Sequence, residues 1–169
     1  MRILKIMILA ACSAAPLLAD VMDTEPGVTV STAASKDELA WHTNYDEGLS
    51  LSKKSGKMMF VLFTGSDWCR WCIKLEDEIL SKPEFAKAVG DQYVFVKIDS
   101  PRKHPLPEKE EARNEELLDQ YDIEGYPTIL LVDSKEEVDA ELSYVSGGVA
   151  PFLAELKSVT DPAQSADAL

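Results

Sequence analysis

The chain has 169 residues, of which 46% are hydrophobic, and a formal net charge of −13 at pH 7. That length fits one domain plus a processed leader, and so acidic a chain excludes nucleic acid and anionic lipid surfaces as partners. Three cysteines, Cys12, Cys69 and Cys72, are too few for a disulfide-stapled scaffold.

Residues 1–19 read as a secretory signal peptide. Arg2 and Lys5 supply the positive start, Ile6 to Leu18 is apolar or small, and Ala19 is the last leader residue. The run is short for a membrane span, which needs about 20 apolar residues. Leu9-Ala10-Ala11-Cys12 also looks like a bacterial lipobox, in which Cys12 would carry a lipid. Either processing exports the chain, and the expected location is the periplasm. Residues 20–35 are small and polar, a flexible lead-in to a domain spanning 36–160.

The first helix is expected over 36–55, with Leu39, Trp41, Tyr45, Leu49 and Leu51 on its apolar face and Gly56 as its stop. Met58 to Phe63 is a continuous apolar run suited to a strand covered on both faces. Thr64-Gly65-Ser66-Asp67 turns the chain into a helix from about Cys72 to Leu80, which Pro83 breaks. A short helical piece covers Glu84 to Val89. Tyr93 to Ile98 is the second strand, and three prolines make 101–107 an irregular loop. A strongly acidic helix follows over Glu108 to Tyr121. Thr128 to Val132 is the third strand, Asp133-Ser134-Lys135 a turn, and Leu142 to Val145 its return strand. A last helix runs from Pro151 to Val159, and 161–169 is a frayed tail. This order gives a parallel βαβ unit and then an antiparallel hairpin: an α/β fold with a central mixed sheet flanked by helices.

Cys69-Arg70-Trp71-Cys72 carries the chemistry. Once the leader is removed these are the remaining cysteines. A bond closing so short a loop stabilises little, which favours a working dithiol over a staple. Half a zinc knuckle is the alternative, but there is no second cysteine pair, and His42 and His104 lack ligand spacing, so no metal is expected. A thiolate attacks disulfides far faster than a thiol. Cys69 falls at the start of the helix, where free backbone N–H groups favour its anion, and Arg70 adds a positive charge. Cys69 is thus the exposed nucleophile and Cys72, one turn on, the buried resolving thiol.

Five neighbours complete the expected site. Trp68 packs against the loop and rims the sulfurs, whereas Trp71, between the cysteines, faces solvent. Glu76 lies one helical turn after Cys72; it either takes the Cys72 proton or is a solvated helix carboxylate. Tyr126-Pro127 precedes a strand, and with the dithiol present a cis bond is expected there, leaving the Tyr126 backbone free to pair with an extended peptide.

Trp68-Cys69-x-x-Cys72 and Tyr121-Asp-Ile-Glu-Gly-Tyr-Pro-Thr128 together resemble the thioredoxin superfamily over roughly residues 40–160. Ser66-Asp67-Trp68-Cys69-x-x-Cys72-x-x-x-Glu76 is most similar to periplasmic thioredoxin-like reductases of the DsbD C-terminal and DsbH types. The resemblance implies the thioredoxin fold, Cys69 as nucleophile, Cys72 as resolving thiol and Pro127 as the cis-proline. It also implies a thiol–disulfide oxidoreductase, most simply a monomer, that reduces disulfides of envelope proteins. No nicotinamide or flavin motif is present, so no cofactor is expected and electrons would come from a membrane donor of DsbD type. An oxidase, an isomerase or a non-catalytic module that senses redox state or captures a metal would use the same pair. The chain departs from thioredoxin in having Arg70-Trp71 where thioredoxin has Gly-Pro. It also has apolar Val61-Leu62-Phe63 where thioredoxin carries a buried acid, a role that Glu76 or Asp67 would have to fill.

Overall fold

The computed structural model describes residues 38–161. The leader, the lead-in, Cys12 and the tail beyond Asp161 lie outside the described residues. Two runs rich in apolar and β-branched residues, Met59–Thr64 (β2) and Val94–Asp99 (β3), become parallel neighbours at the sheet centre, Phe60 opposite Phe95 and Phe63 opposite Ile98. All six β2 residues are buried, as a strand covered on both faces requires. Thr128–Val132 (β4) pairs antiparallel with β2, and Val138–Leu142 (β5) antiparallel with β4. A two-residue strand, Trp41–His42 (β1), adds to the free edge of β3, giving the order β1-β3-β2-β4-β5.

The strand alternation sorts side chains into two cores. One face puts Phe60, Leu62, Phe95 and Ile129 against Leu75, Ile79, Phe85 and Phe152, which come from helices Arg70–Leu75 (α2), Pro83–Val89 (α3) and Val149–Thr160 (α5) and from the turn joining α2 to α3. The other puts Val61, Phe63, Val96 and Ile98 against Leu49 of helix Tyr45–Ser55 (α1) and Leu117 of helix Glu108–Gln120 (α4). Each fully buried aromatic or aliphatic side chain here contributes about 1.5–3 kcal/mol. The mixed sheet with flanking helices is the expected architecture.

Three element expectations need correction. The first helix starts at Tyr45, well after residue 36. Asn44 caps it, its side-chain oxygen accepting the Glu47 N–H at 3.1 Å, and Gly56 ends it at φ 70°. Trp41 pairs instead at the sheet edge, its ring edge-on to Phe60 and Phe95, so aromatic burial overrides helical spacing. The helix expected to run to Leu80 is α-helical only to Leu75; Glu76–Leu80 is π-helical, with the Ser81 N–H reaching the Glu76 carbonyl. The return strand spans Val138–Leu142 rather than Leu142 to Val145. Asp133 tightens the turn by accepting the N–H groups of Lys135 and Glu137. The strand therefore begins early, and residues 143–146 are released towards the cysteines.

Candidate active site

The site lies where β2 ends and α2 begins. Cys69 is the N-cap of α2, its Sγ accepting the Cys72 N–H at 3.2 Å, and it is disulfide-bonded to Cys72 with the Cα atoms 5.2 Å apart. Helix α2 has only six residues, so this single N–H matters more to a Cys69 anion than any long helix dipole. Both cysteines are buried, Cys69 at 6% and Cys72 at 4% exposure, so in the oxidised pair Cys69 is scarcely more open than Cys72. The expected contrast is absent because the Tyr126 segment closes over the first sulfur: Cys69 Sγ is 3.7 Å from the Tyr126 carbonyl oxygen.

The Tyr126–Pro127 peptide bond is cis, and Pro127 is buried. Thr128 anchors the turn through its hydroxyl to the Gly125 carbonyl at 2.9 Å, and Ser143 donates to the Pro127 carbonyl at 2.8 Å. The Tyr126 hydroxyl pairs with that of Ser100 at 3.0 Å.

Trp68 is half-buried and fixed from three sides. Its Nε1–H donates to the Ser100 carbonyl at 2.8 Å, its ring stands edge-on to Tyr126 at 5.7 Å, and the Arg102 guanidinium stacks 3.6 Å from its centroid. Asp67 holds the loop that carries Arg102, its carboxylate accepting the N–H groups of Arg102 and Lys103 at 2.9 and 2.6 Å. These backbone bonds, led by that from Arg102, hold its carboxyl below the usual range. Asp67 is therefore committed to the loop, away from the proton-acceptor role left open for it.

Trp71 is 46% exposed, as its place between the cysteines suggests. Its ring lies 5.5 Å from that of Tyr144, with Arg70 5.0 Å and the Lys74 ammonium 5.6 Å from its centroid. Tyr144 in turn donates to Glu78 at 2.5 Å. Contact with Tyr144 holds Lys74 charged to a higher pH than usual. Glu76 is turned to β3: its carboxylate accepts the Lys97 ammonium at 3.0 Å, and among the described residues no hydrogen bond joins it to either sulfur. Arg102 and Tyr144 gave no sequence signal. One sits in a proline-rich loop and the other beyond a misplaced strand, and both reach the site only through tertiary contacts.

Among the described residues no three His, Cys, Asp or Glu side chains gather so as to hold a metal ion. The arrangement can do dithiol chemistry: two bonded sulfurs, one N–H aimed at Cys69, and the cis Tyr126–Pro127 backbone beside them.

Comparison with known proteins agrees. A thioredoxin-like family model matches residues 40–134. The chain is 38% identical over 120 residues to the disulfide bond reductase DsbH of Chlamydia pneumoniae, covering 71% of this chain and 72% of that one. A solved DsbH oxidoreductase structure superposes with a TM-score of 0.68 at 34% identity, covering 85% of this chain and 94% of the other. The oxidised C-terminal domain of Neisseria meningitidis DsbD shares the fold, with a TM-score of 0.52 at 22% identity over 70% of this chain and 97% of that domain. With its cysteine pair at the head of α2 and a cis-proline beside it, the chain belongs to the thioredoxin-like family, in the DsbH branch.

Proposed function

We propose that this thiol–disulfide oxidoreductase works as a protein-disulfide reductase of the bacterial envelope. The observation that carries the reading is the Cys69–Cys72 disulfide capping α2 against the cis Tyr126–Pro127 bond. The relative's description as a disulfide bond reductase supports the direction. In the reduced protein the Cys69 thiolate attacks one sulfur of a client disulfide. That bond breaks, a Cys69–client disulfide forms, and the other client sulfur leaves as a thiolate that takes up a proton. The Cys72 thiolate then attacks Cys69 Sγ and expels the second client sulfur. Two electrons have passed to the client, and the Cys69–Cys72 bond is restored. Cys72 lies three residues after Cys69, in the first turn of α2, so this resolution is an intramolecular step. A membrane protein of DsbD type returns two electrons for the next cycle.

Trp68 and Trp71 form the rim, Arg70 favours the Cys69 anion, and the Tyr126 backbone pairs with the client. Glu76 stays in its ion pair with Lys97. The test is a Cys72→Ala variant expressed with its leader, with the redox potential of the mature protein measured alongside. Trapped Cys69–client disulfides and a potential below about −230 mV are expected; a potential near −120 mV would reverse the direction to oxidation. An absence of trapped clients, with tight metal uptake by the dithiol, would replace catalysis by metal binding.

A further inference from the structure

Two open cavities meet at Tyr126, whose carbonyl lies against Cys69, one lined by Trp68 before the cysteine pair and the other by Trp71 within it. One, of about 310 Å³, runs from Trp68 to α4; the other, of about 470 Å³, lies between Trp71 and Tyr144. Their linings carry opposite charge. Asp99, Glu111 and Glu115 face the first cavity, against Arg102. The Asp99 carboxylate is occupied by the N–H and hydroxyl of Ser66, and the Arg102 guanidinium is stacked on Trp68. Glu111 and Glu115 remain, one helical turn apart on α4, both exposed and without an ion-pair partner among the described residues. In the second cavity Lys74 is the charged lining residue, its ammonium over the Trp71 and Tyr144 rings. Glu78, 3.7 Å from Lys74, already accepts the Tyr144 hydroxyl, and Arg70 sits over Trp71 with no carboxylate partner among the described residues.

Building on the reductase reading, we propose that the groove selects client segments of dipolar sequence. The target cysteine is flanked on one side by a carboxylate, which lies over Lys74 and Arg70. On the other it is flanked by a Lys or Arg, whose stem lies along Leu106 and Leu118 and whose head meets Glu111 and Glu115. An extended chain advances about 3.3 Å per residue and alternates its side chains, so those two positions either side of the cysteine share its face and stand about 13 Å apart. The groove thus reads the order of charges along the client. The net charge of the protein repels or attracts both orders alike.

Two blocked peptides of one composition test this. Each holds a single cysteine capped with 2-mercaptoethanol as a mixed disulfide. One has Glu two residues before the cysteine and Lys two after; the other has them exchanged. Reduction by the dithiol form of the protein is timed at 20 and 500 mM salt. One order is expected to react about three- to tenfold faster at low salt, as two exposed ion pairs allow. The ratio should fall towards one at high salt, and be lost in Lys74→Gln and in Glu111→Gln with Glu115→Gln. Equal rates for the two orders, or a preference that survives high salt or these variants, overturns the dipolar groove and leaves the reductase reading standing. Failure to reduce either peptide overturns both.

Discussion

Gly65 stands where the Trp68 indole folds back over the backbone: a Cβ added there would lie 2.5 Å from the ring. The ring cannot step aside freely, because Ser100 holds its Nε1–H and Arg102 covers its face. Gly65→Ala is therefore expected to cost about 1–3 kcal/mol, the usual range for overpacking, and to release the indole towards solvent. Urea denaturation followed by tryptophan emission reads both effects; an unchanged midpoint with unchanged emission would show that the ring is not confined. Around this residue the sequence was partly legible. The cysteine spacing and Trp68 are local patterns whose chemistry follows from residue type. Arg102 lies 33 residues after Cys69 and Tyr144 lies 72 after Cys72, and no local pattern reports that a cation or a phenol will cover an indole.

At the scale of elements, the turn before α2 and the loop after β3 are joined by Asp67, whose carboxylate accepts the Arg102 and Lys103 N–H groups. Those bonds favour the charged form, and the folded carboxyl titrates below its usual value. A depressed folded pKa contributes stability above the unfolded value, about 3.9, and that stability is lost as pH falls through the folded pKa. The wild-type protein should therefore exceed Asp67→Asn in stability at pH 7, with the gap closing below about pH 4. Thermal melts from pH 7 to 3 measure the gap; a gap independent of pH would mean that the carboxylate charge adds nothing. Element boundaries were legible where a run is apolar throughout, as in β2, β3 and β4. They failed where tertiary pairing or turn chemistry competes. Trp41 satisfies a helical spacing yet joins the sheet, and the apolar–acidic alternation of Val138-Asp139-Ala140-Glu141-Leu142, which marks β5 as an edge strand with acidic outward positions, competes with the apolar Leu142 and Val145 at the ends of the stretch beyond it.

For the whole molecule, the second core is closed at one end by Tyr45 of α1, whose hydroxyl pairs with that of Tyr121 at the end of α4 and reaches Glu136 in the hairpin turn at 3.5 Å. Three separate stretches of chain meet there, and Arg113 lies 5.5 Å from the Tyr45 ring centroid. Burial, then the bond to Tyr121, pushes the Tyr45 phenol far above the ordinary tyrosine range. A raised folded pKa means that the contribution is fully present below the unfolded value, about 10, and is lost as pH rises beyond it. Stability should thus fall on the alkaline side, because the unfolded chain ionises this hydroxyl while the fold keeps it protonated. Tyr45→Phe removes the ionising group while keeping the ring in the core. It is expected to cost about 1 kcal/mol at pH 8 through the lost hydrogen bond, and to lose less than the wild type between pH 10 and 11.5. Tyr93 and Tyr121 also titrate high because they are partly buried, so the alkaline decline is reduced without being abolished. Urea midpoints of the two proteins across that range decide the matter: curves that run parallel from pH 8 upward would place the alkaline weakness elsewhere than at this junction.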